Sequence, residues 1–249
     1  MSGHSKWATI KRKKAATDQA RGKMFSKYIK EITIAARHGG GDLESNPRLR
    51  TAVLAAKSVN MPAANIERAV KRGTGEVEGV QYEEAHYEGY APGGVALLIE
   101  VATDNKNRTA GDIRHILTKH SGAMAEAGSV SYLFKPRGII VIEKAAISEE
   151  ALIDLALEAG ADDVNAEGDA YEVLTAPAAL EAVKEALAAK HVPTQSAEVT
   201  KIATAQVPVS EKDAEAVVRL VEALEDHDDV QKVHANFTIP DAVLARLAH

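Results

Sequence analysis

The sequence predicts an α+β fold: an N-terminal three-helix domain followed by two ferredoxin-like α+β domains, one inserted in the other. Three observations predict it. Charge is divided along the chain: residues 1–75 carry 16 Lys and Arg against 5 Asp and Glu, and the other 174 residues carry 14 against 31. A segment of +11 therefore precedes one of −17, and the net charge of −6 conceals both. Apolar residues recur at helical spacing up to Gly73 and alternate at strand spacing beyond Gly79. Residues 138–203 then read βαββαβ, the ferredoxin-like order, between two stretches that are each incomplete.

Composition sets the terms for each part. Of 249 residues, 45% are hydrophobic but only 4% aromatic, so the cores are aliphatic. The chain has no cysteine, which excludes disulfides, cysteine nucleophiles and thiolate metal sites. The N-terminus is polar and basic, without the apolar stretch of a signal peptide. No apolar run reaches the ~18 residues a spanning helix needs. The expected location is the cytoplasm, with no membrane contact.

Residues 1–14 hold Lys6, Trp7, Lys11, Arg12, Lys13 and Lys14 and no acid, and read as an extended arm entering a helix. Phe25, Tyr28, Ile29, Ile32 and Ala36 recur at helical spacing, with Lys23, Lys27 and Lys30 off that stripe, until Gly39-Gly40-Gly41. Asn46-Pro47 supplies an N-cap and a first helical residue for a second helix, whose inner face is Leu49, Val53, Ala56 and Val59. Pro62 opens a third, with Ile66, Ala69 and Val70 inward and its end at Gly73.

Past the linker 73–79, residues 80–90 read as a strand, Ala91-Pro92-Gly93-Gly94 as a turn, and Val95, Leu97, Ile99 and Val101 as a strand. Asp104 to Thr109 is a polar turn, with Asn107 or Thr109 as the N-cap of a helix that buries Ile113, Ile116 and Leu117. Val130, Tyr132 and Phe134 mark a further strand. The middle unit has strands near 139–143, 162–167, 170–175 and 196–203 and helices at 148–159 and 177–190. A helix capped by Ser210 and a strand through Val233, Ala235, Phe237 and Ile239 close the chain. The stretch 80–134 lacks a final helix and strand, and the tail supplies one of each. The expected domains are therefore 1–79, 80–134 joined with 205–249, and 135–204 inserted between them.

No catalytic constellation is present: there is no G-x-x-x-x-G-K-[ST], G-x-S-x-G or H-E-x-x-H. His115 and His120 are five apart, off the spacing that puts two ligands on one helix face. Glu225-Asp226-His227-Asp228-Asp229 matches no ion loop and reads as a solvated acidic turn. No enzyme, metal, cofactor or small-molecule substrate is expected. The basic arm is the strongest signal, since Lys and Arg attract phosphate regardless of sequence. Candidate nucleic-acid contacts are Lys6, Trp7, Lys11, Arg12, Lys13, Lys14, Arg21, Lys23 and Lys27 in the arm and first helix. Arg48 and Arg50 add to them from the second helix, Arg68, Lys71 and Arg72 from the third, and Arg108 from the polar turn, where a helix N-terminus favours an anion. Trp7 either stacks on an exposed base or anchors the arm to the helices.

The opening Met1-Ser-Gly-His-Ser-Lys-Trp-Ala-Thr-Ile-Lys-Arg-Lys-Lys14 resembles the start of the YebC family. So do Asn46-Pro-Arg-Leu-Arg50, Asn60-Met-Pro62, Asn65-Ile-Glu-Arg-Ala69 and Tyr87-Glu-Gly-Tyr-Ala-Pro-Gly-Gly-Val95. Thr103-Asp-Asn-Lys-Asn-Arg-Thr109, Gly128-Ser-Val130 and Tyr132-Leu-Phe134 extend the resemblance over nearly the whole chain. Ser121 to Ala127 departs from it, lacking a second glycine and an Asn-Leu-Gly. The resemblance implies a helical domain and two α+β domains, and no enzymatic activity. It also implies one of two roles, a DNA-binding transcriptional regulator or a factor acting on translation at the ribosome, notably across proline runs. Trp7 and the absence of an obvious dimer surface favour ribosomal RNA and a monomer, with duplex DNA as the alternative.

Replacing Lys11, Arg12, Lys13 and Lys14 with Ala should weaken single-strand binding and lower its log–log salt slope by roughly 0.7 per lost phosphate contact. Titrations over a range of salt concentrations check this, and an unchanged slope would exclude the arm as the binding element.

Overall fold

A computed structural model describes residues 18–167 and 170–238, with the backbone alone for residues 18–21 and 167. Three helices come first: α1 (Asp18–Gly39), α2 (Pro47–Ser58) and α3 (Ala63–Thr74). Ile32, Ala35 and Ala36 of α1 pack on Leu49, Ala52, Val53 and Ala56 of α2 and on Ile66 and Ala69 of α3. Asn46 joins two of these helices. Its Oδ1 accepts the Leu49 N–H at 3.0 Å, starting α2, while its Nδ2 donates to the carbonyls of Ala35 (2.9 Å) and Gly40 (2.8 Å) at the end of α1. Groups that a helix leaves without partners are thereby satisfied at both ends. The third helix runs past the expected stop at Gly73. A Cβ there would meet the Thr33 carbonyl at 2.4 Å, so Gly73 serves the close approach of α3 to α1. The cap is Gly75, at φ 84°, with the Glu76 N–H returning to the Lys71 carbonyl.

The first sheet has the order β3-β1-β2-β9. Strands β1 (Glu83–Ala91) and β2 (Val95–Thr103) form an antiparallel hairpin, tightened at Gly93 and Gly94, both in the left-handed region at φ 77° and 76°. Helix α4 (Lys106–Lys119) leads to the short edge strand β3 (Ala123–Ala125). After the second sheet come β8 (Val207–Pro208), α7 (Glu211–Glu225), β9 (Val230–Ala235) and β10 (Phe237–Thr238). Helices α4 and α7 cover one face, burying Leu97, Ile99, Ile113, Leu117, Val217, Leu220, Val233 and Phe237. Each such side chain contributes roughly 1.5–3 kcal/mol when fully buried.

The second sheet has the order β5-β6-β4-β7 and is wholly antiparallel. Its elements are β4 (Phe134–Glu143), α5 (Glu149–Glu158), β5 (Ala161–Glu167), β6 (Ala170–Thr175), α6 (Leu180–Ala189) and β7 (Ser196–Ala203). That order and connection are those of the ferredoxin-like unit. The first sheet carries two helices on four strands by another route, with its hairpin at the centre and β9 arriving from beyond the second sheet.

Residues 130–134 are not a separate strand. Ser131–Leu133 is a single 3-10 turn and Phe134 already begins β4. The buried Glu88 carboxylate accepts the N–H groups of Gly128, Val130 and Ser131, which fixes the turn, and the edge strand falls at Ala123–Ala125 instead. Val130 and Phe134 are buried on Ala96 and Leu98, the face opposite the helices, while Tyr132 is exposed. The apolar period was that of a turn against a sheet. The last strand is also interrupted. The Asn236 Oδ1 accepts the Ala96 N–H at 2.7 Å, and β10 then leaves β2 to pair with β8. Ile239 lies outside the described residues.

We propose residues 1–79, 80–134 with 205–249, and 135–204 as the domains, a partition this strand order supports. Residues 135–204 alone should unfold in one cooperative urea transition. Residues 80–134 alone, without α7 and β9, should not fold, and a stable monomeric 80–134 fragment would refute the partition.

Candidate nucleic-acid interface

Lys23, Lys27 and Lys30 recur at i, i+4 and i+7, one face of α1. That face meets the C-terminal end of α7. Lys23 Nζ lies 3.2 Å from Asp226 Oδ1, and Lys27 Nζ donates to the Glu225 carbonyl at 2.7 Å. Lys30 Nζ donates to the Asp228 carbonyl at 2.8 Å and to Asp229 Oδ1 at 2.7 Å. Cations are favoured at a helix C-terminus, where unpaired carbonyls carry partial negative charge. Lys30 and Asp229 are only 8% and 5% exposed.

The second oxygen of Asp229 gathers the polar turn. Its Oδ2 accepts from Thr109 Oγ1 (2.7 Å), Arg108 (2.8 Å) and Thr103 Oγ1 (3.1 Å). Burial pushes the Asp229 carboxyl up, but hydrogen bonds from Lys30, Arg108 and Thr109, with the Lys30 charge, outweigh it and hold the group well below the usual carboxylate range. The Arg108 guanidinium also bonds Asp104 at 2.7 Å, and its two carboxylate partners hold its proton more firmly than usual. The N-cap of α4 is Asn105, accepting the Arg108 N–H at 3.1 Å, and not Asn107 or Thr109 as expected. Thr109 points into the buried cluster. The turn does hold an anion at a helix N-terminus, and the anion is the chain's own Asp229.

The remaining candidates divide. Arg48 forks between Glu31 (Nε–Oε1 2.8 Å) and Glu84 (2.6 Å), tying α2 to α1 and β1. Arg72 is half-buried and runs beside Gly79, with its Nε lacking a hydrogen-bond partner among the described residues. Arg50 is exposed and donates to the Leu43 and Glu44 carbonyls at 2.9 and 3.3 Å. Arg68 and Lys71 are exposed on α3, and neither they nor Arg50 form an ion pair among the described residues. Lys6, Trp7, Lys11, Arg12, Lys13 and Lys14 lie outside the described residues, and of Arg21 only the backbone in α1 is described. Sequence reasoning missed Lys57, exposed on α2, and the role of Lys30 and Asp229. The i, i+4, i+7 spacing of the α1 lysines was the one available signal for a docking face.

A second polar cluster joins the sheets. Glu100 of β2 lies 2.7 Å from Lys201 of β7 and 3.4 Å from the buried His234 of β9. Burial raises the Glu100 carboxyl, and the neighbouring His234 and Lys201 side chains bring it down to about 2. Among the described residues no three His, Asp or Glu side chains converge as metal ligands, and no helix is long and apolar enough to cross a membrane.

Known proteins match this chain along its length. A family model described as the TACO1/YebC protein N-terminal domain matches residues 5–76, and one described as the TACO1/YebC second and third domain matches residues 82–237. A probable transcriptional regulatory protein of Dictyoglomus turgidum is 56% identical over 249 residues, covering 100% of both chains. One of Syntrophobacter fumaroxidans is 54% identical over the same span, again 100% of each. The crystal structure of a conserved hypothetical protein from Aquifex aeolicus is similar at a TM-score of 0.81 and 49% identity, covering 90% of this chain and 92% of that one.

Asp229→Ala leaves Lys30 buried without its counter-charge, and should lower the unfolding free energy in urea by roughly 3–5 kcal/mol. Lys23→Ala, at the exposed end of the row, should cost under about 1 kcal/mol. The carboxyls of Asp229 and Glu100 are both depressed in the folded state. Their stabilisation is therefore complete above the ordinary carboxylate range and is lost as pH falls through the folded values. Urea titrations should show stability declining below about pH 4, less steeply in Asp229→Asn. An equally steep decline in that variant would contradict the assignment.

Proposed function

Because this chain belongs to the TACO1/YebC family, we propose that it is a non-enzymatic regulator of gene expression that holds nucleic acid on the outward face of its N-terminal helices. The observation that carries this reading is which cations are left over. Lys23, Lys27, Lys30, Arg48 and Arg108 are engaged by the chain's own carbonyls and carboxylates, whereas Arg68 and Lys71 are exposed on α3 without an ion pair among the described residues, and Arg50, exposed on α2, is bonded only to the Leu43 and Glu44 carbonyls. The acidic remainder of the chain repels a polyanion, which favours the approach of phosphate from the helical side.

The ligand we propose is ribosomal RNA, with the protein acting in the cytoplasm as a monomer, and the family resemblance implies the role of easing elongation through proline-rich stretches. The basic arm with Trp7 suits unpaired nucleotides. Duplex DNA is the second reading, favoured by the relatives named probable transcriptional regulatory proteins and by the α2–α3 pair across a short turn.

Competition binding separates the two. A ribosomal RNA fragment should displace a labelled RNA better than duplex DNA of equal phosphate count. Arg68→Ala with Lys71→Ala should lower the salt slope by roughly 0.7 per contact. The protein should also co-sediment with ribosomes from a DNA-free lysate. One duplex sequence bound far more tightly than random duplex, with no ribosome association, would give the transcriptional reading instead.

A further inference from the structure

Helix α2 presents two faces. Leu49, Ala52, Val53 and Ala56 are buried against α1 and α3. Arg50, Leu54 and Lys57 lie within an arc of roughly 60° on an exposed flank, centred about 120° from the buried face, and span about 10 Å along the axis. Leu54 is 56% exposed, although it is a large aliphatic residue in an ordered helix. A lone exposed leucine is common, and its neighbours distinguish this one. The helix, Pro47–Ser58, contains no Asp or Glu, and a cation stands four residues before Leu54 and three after it. Leu157, 48% exposed on α5, lies instead near Asp154 and Glu158. One guanidinium nitrogen of Arg50 donates to the Leu43 and Glu44 carbonyls, which ties the side chain to the loop before α2.

We propose that Arg50, Leu54 and Lys57 form a contact stripe for RNA with unpaired nucleotides, the two cations meeting phosphates and Leu54 packing on a base or ribose between them. This rests on the reading of the N-terminal domain as a nucleic-acid binder and adds where on the described helices an unpaired nucleotide is met. A purely electrostatic face needs no apolar residue, because phosphate attraction is indifferent to base and strand state. An aliphatic side chain gains only where apolar surface is offered. Duplex bases are stacked on one another, whereas unpaired ones present a free face.

The test uses the full chain with a short unstructured RNA and a duplex of equal phosphate count. Leu54→Gln should weaken RNA binding roughly 3–10-fold, the scale of partial leucine burial, with duplex affinity, salt slope and urea midpoint unchanged. Arg50→Ala with Lys57→Ala should lower the slope on RNA by about 1.4, twice the single-strand value per contact. RNA affinity unaffected by Leu54→Gln, or an equal loss on duplex, would overturn the stripe while leaving the domain a nucleic-acid binder. Loss of ribosome co-sedimentation with RNA affinity intact would assign Leu54 to a protein partner and overturn it as well. Should the unaltered chain bind no nucleic acid in a salt-dependent way, the underlying reading fails and the stripe with it.

Discussion

The Asp229 carboxylate is where the parts of this protein meet. It sits in the turn between α7 and β9, and its two oxygens draw Lys30 from α1, Thr103 from β2, and Arg108 and Thr109 from α4. A buried charge survives only when its bonding capacity is filled, and here it is filled by side chains from distant stretches of chain. The contact is graded: Lys30 is enclosed, Lys27 caps the end of α7, and Lys23 pairs at the rim. Asp229 thus sets how the helical domain sits on the body.

That seating determines which charges remain for a partner. The chain is strongly basic at one end and acidic at the other, and attraction between the two satisfies part of each. The lysine face of α1 is spent on the body. Arg48 is spent on Glu31 and Glu84, and the Arg37 guanidinium on the Tyr82 carbonyl at 2.9 Å. Among the described cations of the helical domain, those exposed without an ion pair are on α2 and α3: Lys57, Arg68 and Lys71, with Arg50 bonded only to two carbonyls. The internal clamp and the outward face are two consequences of one charge division.

Much of the fold was legible because its signals are local. Asn46-Pro47 and Ser210 each mark a helix start, and each side chain accepts the N–H three residues on, as Ser148 also does for α5. The βαββαβ order of the second sheet follows from alternation and helical spacing alone. The errors arise where distant residues decide. Residues 130–134 have an apolar rhythm suited to a strand, but Glu88, some 40 positions earlier, bonds their amides into a turn. Asp229 lies in an acidic run that reads as solvated, and its partner Lys30 is 199 positions away. No local pattern distinguishes a lysine that will meet phosphate from one that will meet a carboxylate of its own chain. Lys57 stands seven residues beyond Arg50 in sequence, and only the helix brings it to the same flank as Arg50 and Leu54.

The most direct test of this account is the distance distribution between the helical domain and the body. The chain has no cysteine, so Ser58→Cys on α2 and Lys119→Cys at the end of α4, both exposed, give a clean spin-labelled pair. If Asp229 seats the domain, the distribution is narrow in the parent chain. It broadens on adding Asp229→Asn while far-ultraviolet circular dichroism shows the helices intact. A distribution equally narrow with and without the Asp229 carboxylate would contradict the claim that this residue fixes the arrangement.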